Sequence, residues 1–204
     1  MTQLSRTFIP IALAAALGGC SLGGMLGGGG PPPTMLLDLT PAAVDPGQIS
    51  RTANSGQAVT IAVPVITKEL RTVRVPVQVS PTDVEYIAHA QWVDTPDRLF
   101  QDLLAETVRR TTNRVVLDPR QVSLDPGLLV SGELRRFGYD AATGQAIVQY
   151  DGALSTAGGG RVETRRFTAT VPADGTAASV GPALNSAANQ VATEVATWIG
   201  NTSG

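Results

Sequence analysis

The chain has 204 residues, 15 Lys and Arg against 17 Asp and Glu, a formal net charge of −2, and one Cys and one His. No basic stripe or patch stands out from that balance, which argues against nucleic acid as a partner. One thiol excludes an internal disulfide framework, and any His-dependent triad or His-rich metal site would have to be built around His89.

The N-terminus reads as an export signal over residues 1–19. Arg6 supplies a short basic region and Phe8 to Leu17 an apolar stretch of signal-peptide length, well short of the ~20 apolar residues that span a bilayer. Leu17-Gly18-Gly19-Cys20 then resembles the bacterial lipobox. The motif implies cleavage before Cys20, a covalent diacylglycerol on its thiol and an N-acyl chain such as palmitate on its amine, with no other cofactor. The competing reading is an ordinary signal that happens to carry a Cys. A catalytic thiol needs a folded, electropositive pocket, and the Gly-rich flanks do not build one. Burial of acyl chains contributes about 0.8 kcal/mol per CH₂, so two or three chains hold a protein persistently. The mature chain is therefore expected to be tethered to a membrane without spanning it. Ser21, where Asp would favour retention in the inner membrane, is similar to the sorting pattern of outer-membrane lipoproteins that face the periplasm.

Residues 20–34, rich in Gly and ending in Pro31-Pro32-Pro33, read as the lipidated tether. Residues 35–200 read as one domain, about 165 residues and enough for a sizeable core, and residues 201–204 as a disordered tail. "MLLDL" (35–39), "AVTIAVPVI" (58–66), "TVRVPVQV" (72–79) and "VEYIAHAQW" (84–92) are strand candidates. Pro64 marks an edge or an end, and alternation places Val73, Val75, Val77 and Val79 on one face. A helix is predicted from Pro96 to Thr112, with Thr95 as N-cap, Pro96 and Asp97 in the first turn, an apolar stripe of Leu99, Phe100, Leu103, Leu104 and Val108, and Arg109 and Arg110 in the last turn.

After "RVVL" (114–117), three longer runs at 128–139, 145–154 and 161–171 form a meander joined by hairpin-type loops. In the middle run Ala146, Val148, Tyr150 and Leu154 share one side, and Gln149 and Asp151 the other. A closing helix is predicted from Ser179 to Ile199, burying Leu184, Ala188, Val191, Val195, Trp198 and Ile199. The expected class is α+β, a largely antiparallel sheet with two helices packed on one face.

Chemistry-bearing motifs are scarce. There is no G-x-S-x-G, H-E-x-x-H or C-x-x-C, and "AGGGR" (157–161) lacks the G-K-[ST] of a phosphate loop. The acidic pairs Asp83 with Glu85 and Asp94 with Asp97 are ordinary solvated spacings. No catalytic or metal-binding residue is assigned, and the chain is read as a non-enzyme.

A set of short features in a fixed order carries a resemblance. It runs through Leu37-Asp38-Leu39-Thr40-Pro41, the strand Ile61-Ala62-Val63, and Ala90-Gln91-Trp92-Val93-Asp94-Thr95-Pro96 leading to Leu103-Leu104. "LLVSGELRRF" (128–137), "RRF" (165–167) and the closing "ATWI" (196–199) complete it. With the lipobox, this order resembles the auxiliary lipoprotein component of ABC-type transport systems, the PqiC-like family that accompanies MCE-domain (Mla-like) lipid transporters. Many members carry a "Y-L-D-R" type segment where this chain has "ELRTVRVPVQV" (69–79). The resemblance implies a non-catalytic part in a trans-envelope lipid transport machine: an ABC permease and ATPase in the inner membrane, an MCE-domain protein across the periplasm, and this chain docking at the outer membrane.

Trp92 and Phe100 are candidate interface anchors, because aromatics are enriched at interfaces, with core positions as the competing reading. Arg135, Arg136, Arg165 and Arg166, on strands expected to neighbour one another, are candidates for a basic patch that meets an acidic partner or lipid headgroups; solvated charges are the alternative. Two other functions stay open: a lipid-binding carrier, which needs an apolar cavity of several hundred Å³, and an assembly lipoprotein supporting an outer-membrane barrel. Pro-containing strands leave edge-to-edge homo-oligomers open as well.

Overall fold

A computed structural model describes residues 35–54, 57–118, 127–156 and 160–202. The expected signal peptide, Cys20 and tether, and the last two residues of the expected tail, lie outside the described residues. Among the described residues there are nine strands and two α-helices: β1 (Met35–Leu37), β2 (Ala58–Ile61), β3 (Val65–Ile66), β4 (Arg74–Ser80), β5 (Asp83–Trp92), α1 (Pro96–Thr111), β6 (Val115–Leu117), β7 (Leu128–Asp140), β8 (Gln145–Ser155), β9 (Val162–Pro172) and α2 (Ala177–Asn201). The class is α+β.

The sheet is mixed, and this corrects the expectation of a largely antiparallel one. Five strand pairings are parallel: β1 with β5, β2 with β6, and β2, β3 and β4 each with β7. Three are antiparallel, β4 with β5, β7 with β8 and β8 with β9, and the last two are the longest ladders. The predicted hairpin loops specify those two. A parallel pair needs a long crossover, and alternation within a three-residue strand says nothing about which distant partner it will meet.

β7 organises the sheet. β8 runs along one side of it, while β2, β3 and β4 take up its other side in succession. The run 58–66 is thus two short strands separated at Ala62 to Pro64, since proline has no N–H to give a ladder. The valine stripe of β4 also departs from expectation. Val75 is fully buried but Val79 is 40% exposed, because irregularities in the β4–β5 register twist the strand along its length.

Both helices cover the same face of the sheet. Tyr150 of β8 lies under Phe100 of α1, with ring centroids 5.2 Å apart, and stacks on Phe167 of β9 at 6.5 Å. Phe167 meets Trp198 of α2 at 5.5 Å, and Trp92 meets Phe137 at 5.3 Å. Such pairs add about 0.5–1.5 kcal/mol each beyond area burial. Gly132 and Gly152 sit opposite each other in the β7–β8 register. A Cβ on Gly132 would lie 2.7 Å from the Tyr150 ring, so the missing side chains make room for it. The predicted stripe of α2 is buried throughout, with Ala187, Ala188 and Ala192 permitting close approach to the sheet.

Thr95 occupies the N-cap position of α1 without a capping side-chain bond. Its carbonyl accepts the Arg98 and Leu99 N–H groups, and its own N–H goes to Asp94 Oδ1 at 2.7 Å. The chain after β1 straps across the outside of both helices. Asn185 and Asn189 of α2 hold Thr40 and Ala42, and Arg110 of α1 donates to the Ala43 carbonyl at 2.9 Å.

Candidate interaction surface

The face of β7, β8 and β9 turned away from the helices carries a network of charges. Arg166 grips Asp151 through both carboxylate oxygens, Nε to Oδ1 at 2.6 Å and Nη2 to Oδ2 at 2.7 Å. Arg135 reaches the same carboxylate at 3.8 Å and Glu133 at 3.0 Å, and Arg136 pairs with Asp140 at 2.9 Å. The hydrogen bond from Arg166 holds the Asp151 carboxyl below its ordinary range, and Asp151 in turn raises the guanidinium. Arg136 does the same for Asp140.

A bulge places two of these arginines. Leu134 faces Tyr150 and Arg136 faces Gln149, so Arg135 is an extra residue in β7. Strict alternation would send Arg135 and Arg136 to opposite faces; the bulge leaves both on the open one. β7 and β9 are not neighbours, contrary to the sequence expectation, because β8 runs between them. Asp151 on β8 is what joins Arg135 to Arg166. Each of the three arginines on this face therefore has a carboxylate, and the surface is mixed in charge rather than simply basic. Asp151 was legible as an outward position of β8, but its role as the shared partner was not.

Arg165 points to the other side, its guanidinium 5.1 Å over the Phe167 ring. Trp92 and Phe100 are core residues, 2% and 0% exposed. His89 is exposed, with φ of +60° in an irregular stretch of β5. Among the described residues no three His, Cys, Asp or Glu side chains converge as a metal site, and no helix is long and apolar enough to cross a membrane.

A cleft of about 880 Å³ opens between the C-terminal ends of the two helices, lined by Thr111, Thr112, Arg114, Thr197 and Asn201 among others. Arg114 donates to the Gln57 and Thr202 carbonyls, and burial lowers its pKa. Threonine hydroxyls here donate back into their own helices, Thr111 to Thr107 at 2.7 Å and Thr197 to Thr193 at 2.8 Å. The lining is polar, which suits water and hydrophilic groups rather than an acyl chain.

Residues 38–196 match the model of the ABC-type transport auxiliary lipoprotein component family. The chain belongs to that family. No curated protein matches it in sequence. Among solved structures, one of a DUF330 protein from Xanthomonas campestris is similar, with a TM-score of 0.63 at 21% identity, covering 82% of this chain and 92% of that one. An uncharacterized protein has a TM-score of 0.64 at 11% identity, covering 81% and 97%. At these identities the likeness shows a shared fold. The family membership makes the chain an auxiliary component of ABC-type transport, and it is the resemblance expected from the ordered motifs.

Proposed function

We propose that this auxiliary lipoprotein is anchored by acyl chains on Cys20 to the outer membrane, facing the periplasm, and docks without catalysis on the MCE-domain protein of an ABC-type lipid transport system. The family match over 38–196 carries the reading, and the Leu17–Cys20 motif supports the anchor. The tether confines the domain near its membrane, so a partner spanning from the other side meets it at a high effective concentration. The polar lining of the 880 Å³ cleft favours docking over a carrier role, since a carrier needs an apolar cavity.

Photocrosslinking in cells tests the docking, with fractionation testing the anchor. An MCE-domain protein should be the main adduct of the wild-type chain, and Cys20→Ser should remove the protein from the outer-membrane fraction. An adduct with an outer-membrane barrel alone would overturn the docking, and a Cys20→Ser chain that stays in the outer-membrane fraction the anchor.

A further inference from the structure

β9 pairs with β8 from Val162 to Pro172 without a bulge, and no strand lies on its other side among the described residues. The bonds that flank this ladder fix which backbone groups are used. Thr156 N–H donates to the Arg161 carbonyl at 3.1 Å, and Ala173 N–H to the Gly144 carbonyl at 3.0 Å. In an antiparallel pair the inward bonds fall on every second residue, so Glu163, Arg165, Phe167, Ala169 and Val171 turn their N–H and C=O towards β8. Val162, Thr164, Arg166, Thr168 and Thr170 turn theirs to the open edge, and the side chains of all five are exposed.

Protected edges are short, bulged or covered, or carry lysines and inward charges. This one is long and regular, its outward residues mostly β-branched, with a proline only at its end. Its cations are unequally engaged: Arg161 pairs with Glu163 and Arg166 holds Asp151, which leaves Arg165. Arg165 rests over Phe167 and meets no carboxylate among the described residues. Beside it a cleft of about 360 Å³, lined in part by Arg161, Glu163, Arg165, Trp198 and Thr202, has room for side chains of an added strand. A second copy fits less well, because antiparallel β9-to-β9 pairing in the register of fullest overlap sets Phe167 opposite itself and Arg165 opposite Ala169, so no carboxylate of the copy stands opposite Arg165.

We propose that the open edge of β9 accepts an extended acidic segment of a partner protein as an added strand. Its main chain would bond to Thr164, Arg166, Thr168 and Thr170, and a carboxylate would meet Arg165. This names the surface used in the docking proposed above and rests on that reading for the partner's identity, but not for the chemistry.

The full chain in detergent micelles, titrated with an extended peptide of alternating Thr and Glu, tests the edge by amide hydrogen exchange. Exchange at Thr164, Arg166, Thr168 and Thr170 should slow, while Arg165 and Phe167 stay unchanged, and a Thr/Lys peptide should have no effect. Thr168→Pro removes one edge N–H at a position where proline is tolerated and should abolish the protection; Thr168→Ala should keep it. Arg165→Glu should weaken the Glu peptide about fivefold. Unslowed edge amides at millimolar peptide overturn the proposal, as does peptide-independent protection that grows with protein concentration, which assigns the edge to a second copy. In cells, an MCE adduct that persists in Thr168→Pro overturns the edge alone. A positive peptide result with no MCE adduct in the wild type overturns only the partner's identity.

Discussion

Asn189 of α2 donates from Nδ2 to the Thr40 carbonyl at 2.9 Å and accepts the Ala42 N–H on Oδ1 at 2.7 Å, so one side chain satisfies the strap as a strand would. Asn189 is 7% exposed, and removing it strands polar groups out of water. Asn189→Ala should lower stability by about 2–3 kcal/mol and speed hydrogen exchange at Ala42 while leaving the β7–β8 ladder protected. Urea unfolding and amide exchange measure the two effects. An Ala42 exchange rate equal to wild type would show that the strap is held elsewhere.

Gly132 is the gap into which Tyr150 fits. Gly132→Ala forces the ring or the strand to move, and overpacking of this kind costs about 1–3 kcal/mol. The thermal midpoint should fall and the aromatic circular dichroism should change, because Tyr150 is the centre of the chain of rings from Phe100 to Trp198. A Gly132→Ala protein with an unchanged midpoint would contradict the fit.

Burial pushes the Tyr150 hydroxyl far above its usual range, and it donates to the Ser131 carbonyl at 2.8 Å. The folded state therefore keeps the proton that the unfolded chain releases near pH 10. Between those two values the native state binds more protons, so stability falls as pH rises above about 10. Comparing wild type with Tyr150→Phe isolates this phenolate: its absorbance should rise only together with the loss of secondary structure. A phenolate appearing in the folded protein would refute the burial.

For Asp151 the sign is reversed. Its folded pKa is lowered by the hydrogen bond from Arg166, so its contribution is present above the unfolded carboxyl value near 3.9 and is lost as pH falls through the folded one. Carboxyl ¹³C titration should find Asp151 below the ordinary carboxylate range in the wild type and closer to it in Arg166→Ala. The stability difference between the two proteins should vanish in strong acid. High salt should shrink it at neutral pH, since the pair is exposed.

Much of the domain was readable locally. The apolar stripe of α1, with Leu99, Phe100 and Leu103, and that of α2, from Leu184 to Ile199, follow a helical period that survives any packing arrangement. The alternation of Ala146, Val148, Tyr150 and Leu154 survives for the same reason. Where the reading departed, the missing information was not local. The bulge at Arg135 shifts the register by one residue, and period-two alternation cannot foresee an insertion in the ladder. The candidate charges show this well: four arginines were visible, but the Asp151 that joins two of them stands on the strand between.

The sequence by itself determined the helices, the three long strands and the motif order that marks the family, because periodicity, turn chemistry and proline act within a few residues. Tertiary structure alone decided that β2, β3 and β4 share one side of β7, that Trp92 faces the core, that residues 40–45 are held by both helices, and that β9 is left as an open edge. Those outcomes depend on which distant segments compete for the same hydrogen-bonding groups and the same buried volume, and no short stretch of sequence contains both competitors.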